Sequence, residues 1–234
     1  MQINAEKLPD FQERIRGDFP LFEEEVARAP AGLATMLKQL ALPTVSAPIY
    51  SFINEAETQK ISLSRDYIAL SDVEYKRWED FRATMKLAQL ALEELYKPAF
   101  YSRVGLRYRD VIDPLRLARA EEMKWTDLFR AELVGILGSE IAGDVTATKS
   151  ETTIKLSTST KASAVIRYGL ASIKEPDEEE RHVYAIDTDF FTEQKVDGAS
   201  IFGVLDEFNQ LAGNLFRWAI TDRLRKALEP RELE

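Results

Sequence analysis

Apolar and polar positions alternate with period two in one half-dozen stretches of this chain and recur every three to four residues in two long ones. In "YSRVGLRYRDVIDP", residues 101–114, an extended chain puts Arg103, Gly105, Arg107 and Arg109 on one side. Val104, Leu106, Tyr108 and Ile112 then fall on the other. Period two also appears at Tyr50 and Phe52, at Ile61 and Leu63, and at Ile68 and Leu70, with a phase shift near Arg65 and Asp66 that predicts a bulge or bend. Further along, "VTATKSETTIKLSTS", "KASAVIRYGL" and "RHVYAIDTDFF" read as three strands rich in Thr, Val, Ile and aromatics, the last two separated by the acidic turn "KEPDEEE". Connections this short favour antiparallel pairing.

Two segments carry helical periodicity. From Asp72 to Tyr96, Trp78, Phe81, Met85, Ala88, Leu92 and Leu95 line one stripe, and Ser71 with Glu74 has the spacing of a capping box. Packing of this helix across a sheet is favoured over a coiled coil, because the seam is aromatic and short. From residue 200 to 228, Ile201, Val204, Phe208, Leu211, Leu215 and Trp218 form a seam that Leu205, Ala212 and Ala219 widen. Asn209 and Asn214 interrupt it, and each calls for a cap, a cross-element hydrogen bond or solvent. Asp113-Pro114 fits the start of a short helix, and "TDLFRAELVGILG" reads as another helix, ending at Gly138.

The pattern predicts an α+β fold of two similar halves, each an antiparallel strand meander followed by a long amphipathic helix. The halves are residues 1–125 and 126–234, tightly packed rather than joined by a flexible linker.

Composition changes the picture mainly by subtraction. Cysteine is absent, which removes disulfides, thiolate nucleophiles and Cys-type metal sites. The start of the chain reads as lacking a secretory signal, and no apolar run approaches a membrane span, so the expected location is cytoplasmic with no membrane partner. A net charge of −9 disfavours nucleic acid as a partner. No phosphate loop, dinucleotide fingerprint or nucleophile elbow occurs; no catalytic residue, cofactor or metal is implied, and a non-enzymatic role is expected. His182, the one histidine, reads as an edge residue.

Against that acidic background, residues 101–119 hold five arginines (103, 107, 109, 116 and 119) and two aspartates. Arg103, Arg107 and Arg109 are therefore candidates for binding an anion or a partner, since guanidinium grips carboxylate and phosphate through paired hydrogen bonds. Two other readings stand beside this one. The strand face could be solvated, or it could be neutralised by Asp187 and Asp189, which share one face of "VYAIDTDFF". Those two aspartates also invite a divalent-metal reading, without a third ligand by spacing. Gly105 leaves room on the arginine face for a ligand or another backbone.

"RVGLRY" at 103–108, after the "YKRWEDF" helix start and before "AIDTDFF" and "LFRWAITDRL", resembles an uncharacterised family of prokaryotic proteins named for its sporadic distribution. Members of that family typically carry an aliphatic residue and Asn where this chain has Arg109 and Asp110. The resemblance implies no reaction. It implies the setting of horizontally transferred defence-type or mobile-element cassettes, and with it a protein-binding or adaptor role, the partner being a neighbouring gene product or a second copy in a homodimer. The alternative is a binder of a nucleotide or nucleic-acid backbone through the arginines.

Overall fold

Alternation in "VGLRYRDVI" produces a strand, β5 (Val104–Ile112), whose inward side chains Val104, Leu106 and Ile112 are buried while Gly105, Arg107, Arg109 and Val111 face outward. It belongs to a computed structural model describing residues 5–26, 48–117, 123–158, 160–174 and 179–228. The architecture is α+β, with two four-stranded antiparallel sheets. The chain divides into two compact units, Met1–Ala99 and Phe100–Glu234. Among the described residues, no helix is long and apolar enough to cross a membrane.

In the first unit a 3-10 turn (Ala5–Lys7) leads into α1 (Leu8–Ile15), followed by β1 (Leu21–Val26), β2 (Pro48–Ile53), β3 (Gln59–Ser64) and β4 (Ile68–Asp72), the strands paired in sequence order. Between β2 and β3, Asn54 builds the turn by accepting from the Thr58 and Gln59 amides, both at 2.8 Å. The phase shift at Arg65 and Asp66 is a full reversal: the Ser64 amide donates to the Tyr67 carbonyl at 2.9 Å, closing a tight β3–β4 hairpin. Helix α2 (Trp78–Tyr96) begins six residues after the expected start. Ser71 is still paired to Lys60 in the sheet and Asp72 accepts from Gln59 Nε2 at 2.8 Å, so neither residue caps the helix. Phe11, Ile15 and Phe52 are fully buried, with the Phe11 and Phe52 rings 5.3 Å apart.

In the second unit the sheet order is β5-β8-β7-β6, from β6 (Ser150–Lys155), β7 (Ser163–Ile173) and β8 (Arg181–Thr192). The expected meander holds for β6, β7 and β8; β5 adds beside β8, the last strand in sequence. That pairing puts β5 with the second unit, past the division at Ala99. Residues 175–178 of the acidic turn lie outside the described residues.

The segment 125–138 is one helix in expectation and several pieces in fact: α3 (Trp125–Leu128), α4 (Ala131–Val134) and a 3-10 turn, Gly135–Gly138. Phe129 is extended between them because it bridges to Ile220. The same bridge cuts the long C-terminal segment into α5 (Ile201–Ala219) and α6 (Asp222–Ala227). Thr221 starts α6, its side chain accepting from the Leu224 amide and donating to the Asp127 carbonyl.

Helix α5 covers the inner side of the sheet. Its buried residues are Ile201, Phe202, Val204, Leu205, Phe208, Ala212 and Ala219: the expected seam holds through Phe208, then shifts to its margin at Ala212 and Ala219, leaving Leu211 and Leu215 half-buried and Trp218 exposed. Phe208 packs on Phe190 of β8 with ring centroids 6.3 Å apart, each fully buried ring stabilising by about 1.5–3 kcal/mol. Asn209 has its reason: it accepts from the Tyr108 hydroxyl at 2.8 Å, tying helix to strand. Asn214 is exposed and accepts a local hydrogen bond from Arg217.

Candidate binding face

Pairing in this sheet places alternate residues of four strands in rows across its outer side. One row runs Arg109, Asp187, Arg167, Glu151; the next runs Arg107, Asp189, Val165, Thr153; a third runs Gly105, Phe191, Ser163, Lys155. Cations and anions alternate along the first. The three arginines singled out from the sequence are together on this face, with side chains 49%, 45% and 69% exposed at Arg103, Arg107 and Arg109. Arg119 lies outside the described residues.

The guanidiniums reach along the strands as well as across them. Arg107, opposite Asp189, grips Asp187 through two hydrogen bonds, from Nε at 2.6 Å and from Nη2. Those bonds raise the Arg107 pKa and lower that of Asp187, outweighing the burial of both groups. Arg109 shares Asp187 at 3.8 Å, the loosest contact on the face. Arg103 bonds Asp189 at 2.9 Å.

To reach Asp189, Arg103 passes over the row that contains Gly105. Its guanidinium sits 4.7 Å from the Phe191 ring centre, and a Cβ on Gly105 would stand 2.9 Å from its Nη1. The room that glycine leaves is filled by this neighbouring side chain. Arg116, the remaining described arginine of the cluster, turns away to Asp113 at 3.5 Å.

Asp113 itself is structural. It accepts from the Leu115 amide at 3.1 Å to start the 3-10 turn Pro114–Arg116, and it takes Arg181 Nε at 2.7 Å with both side chains at most 10% exposed. Asp187 and Asp189, weighed as a metal pair, are each engaged by guanidinium. Among the described residues, no group of three or more carboxylates, histidines or cysteines is placed to hold a metal ion. His182 is exposed, its Nδ1 lying 3.4 Å from the Ser172 hydroxyl.

Two members of the arrangement, and one buried carboxylate behind it, escaped the sequence reading. Arg167 and Glu151, bonded at 2.6 Å, extend the charged row to the far edge. Their parity within "SAVIRYGL" and "SETTIK" was a usable signal, but only the pairing register shows which row they join. Asp110 falls on the inner side with the apolar residues of β5, and burial lifts its pKa to about 6.

The fold and this face define an α+β protein of two units whose second sheet presents an open, charge-alternating surface. No protein-family model, curated protein or solved structure matches the chain.

Proposed function

We propose that this is a non-enzymatic protein-binding or adaptor protein that receives another protein on the outer face of the β5-β8-β7-β6 sheet. The observation that carries the reading is the ladder itself, in which exposed Arg103, Arg107 and Arg109 and half-buried Arg167 interleave with half-buried Asp187 and Asp189 and with exposed Glu151 on the outer side of the sheet. A surface of alternating sign matches a partner that also alternates, and mismatched registers bring like charges together, which gives selectivity. Arginine stacked on an aromatic ring, as Arg103 is on Phe191, belongs to the chemistry enriched at protein interfaces. The sporadic-family resemblance agrees with a partner encoded beside this chain in a transferred cassette.

A second reading, recognition of a phosphate-bearing ligand, is favoured by Arg109, the most exposed of the three and the least held. It is weakened by Arg107, whose two hydrogen bonds to Asp187 a phosphate would have to displace.

Affinity capture from the native cells, with the wild-type chain and Arg107→Glu as parallel baits, tests the first reading. A protein recovered stoichiometrically by the wild type and lost with the variant supports it. Equal recovery by both baits, or no protein recovered, counts against it.

A further inference from the structure

Among the described residues, strand β6 pairs with β7 alone, and every residue from Ser150 to Lys155 is exposed. The register decides which backbone groups are free. Thr148 donates to Leu170 and Leu156 donates to Ala162, at 3.0 and 2.9 Å, so even-numbered residues turn their amides and carbonyls toward β7. Glu151, Thr153 and Lys155 then turn theirs to the open side, where among the described residues no strand receives them.

We propose that a second copy of this chain adds its own β6 to this edge, antiparallel, with Thr153 on the twofold axis. In that register Glu151 faces the partner's Lys155, Lys155 faces the partner's Glu151, and Thr153 faces the partner's Thr153. All three pairs join residues whose backbone groups point outward, giving about six hydrogen bonds across the axis. Shifting by one residue would set outward groups against inward ones. Shifting by two in one direction sets Lys149 against the partner's Lys155; in the other it leaves Glu151 opposite the partner's Ser157.

Charge therefore selects one register among those the backbone permits. The outer row continues in alternating sign: Arg109, Asp187, Arg167, Glu151, then the partner's Lys155. Lysines commonly guard an open edge against pairing. Here the ammonium of Lys155 meets a carboxylate, and Lys149 meets only the partner's Ser157. On the other side of the strand, Ile154, an exposed apolar side chain, lies beside the partner's Thr152. An isologous edge pairing of this kind closes as a dimer and does not propagate. It uses the open backbone edge of β6, whose Glu151, Thr153 and Lys155 also project on the outer face, and it holds whether or not another protein docks on that face.

The chain has no native cysteine, so a single introduced one reports the register. At the twofold, Thr153→Cys places two Cα atoms about 5.5 Å apart, within the disulfide range. Lys149→Cys lies on the same edge but its two copies are about 27 Å apart. Under mild oxidation the first variant of the full chain should crosslink to a dimer and the second should not. A wild-type chain that sediments as a monomer up to about 100 µM, or equal crosslinking at both positions, overturns the proposal.

Charge provides the second measurement. Lys155→Glu alone and Glu151→Lys alone each set like charges together and should sediment as monomers, while an equimolar mixture of the two should recover the dimer. Failure of the mixture to associate, or dimers of each variant alone as stable as wild type, overturns it as well. Far-UV circular dichroism on every variant separates loss of association from loss of fold.

Discussion

Asp110 and Asp187 lie on adjacent strands and on opposite sides of one sheet, and their surroundings drive them apart. Asp187 is held by Arg107, so its folded-state pKa is lowered; its contribution to stability is present above the ordinary carboxylate range and is lost as the pH falls. Asp110 faces inward opposite Ile186, and burial raises its pKa from 3.8 to about 6, with no cation paired to it among the described residues. Between those values the folded chain retains a proton that the unfolded chain has released. Ionisation there opposes folding, and stability falls as pH rises through the window. Asp110→Asn keeps the shape and removes the charge. At about 1.4 kcal/mol per pH unit, discounted for the partial exposure of the side chain, the variant should gain on the order of 2 kcal/mol at pH 7. That gain should vanish near pH 4. Urea unfolding of both proteins across this range measures it, and a gain independent of pH would refute the assignment. Asp187→Asn should behave in the opposite sense, losing stability at neutral pH and matching the wild type in acid.

Gly105 belongs to the same scale. A methyl group there meets Arg103 Nη1 at 2.9 Å and the Phe190 carbonyl at 3.3 Å. The flexible guanidinium gives way more easily than the backbone. Gly105→Ala should therefore leave the fold intact, changing stability by no more than about 1 kcal/mol, while uncoupling Arg103 from Asp189. A double-mutant cycle on that pair, run in both backgrounds, should show a coupling energy in the wild type and none in the variant.

Elements were legible where one side of a strand is buried and the other wet. The inward and outward residues of β5 follow from parity alone, and so does the separation of its arginines from its core. Where a tertiary bond overrode a local signal, the reading failed. Ser71 and Glu74 have capping-box spacing, yet Ser71 and Asp72 are committed to β3, and the helix waits until Trp78. The break at Ile220 was hidden because the apolar spacing of α5 continues through it; its cause, the bridge to Phe129, lies 91 residues away. Thr221-Asp222 was the readable trace of a new helix start. Close approach between elements is equally invisible in sequence. Gly169 of β7 lies under the Thr148 backbone, where a Cβ would stand 2.0 Å from the carbonyl oxygen. The Thr148 amide bonds the Leu170 carbonyl, and its hydroxyl accepts from the Leu170 amide at 2.8 Å. Gly169→Ala must push this strap away, and should cost about 3 kcal/mol. Hydrogen exchange should quicken at the Leu170 amide and along β6; unchanged exchange and stability would show that the strap yields freely.

At the scale of the whole molecule, a chain of net charge −9 carries one face where guanidiniums outnumber carboxylates only narrowly. Two fields therefore oppose a polyanion: the long-range repulsion of the acidic chain, and the local neutralisation of Arg103 and Arg107 by aspartates already bonded to them. The wild-type protein should not bind single- or double-stranded DNA measurably at about 150 mM salt, where the Debye length is about 8 Å and only near charges count. Replacing both aspartates, as Asp187→Asn with Asp189→Asn, frees the arginines without changing side-chain size. That variant should acquire weak DNA binding at low salt, with an affinity that falls on a log–log plot by nearly one power of salt for each phosphate contact made. Fluorescence anisotropy at two salt concentrations separates the outcomes. Binding by the wild type that is abolished by Arg107→Glu would move the assignment of this face from a protein partner to a phosphate-bearing one. A double variant that stays inert would show that the aspartates were not what kept the arginines from phosphate.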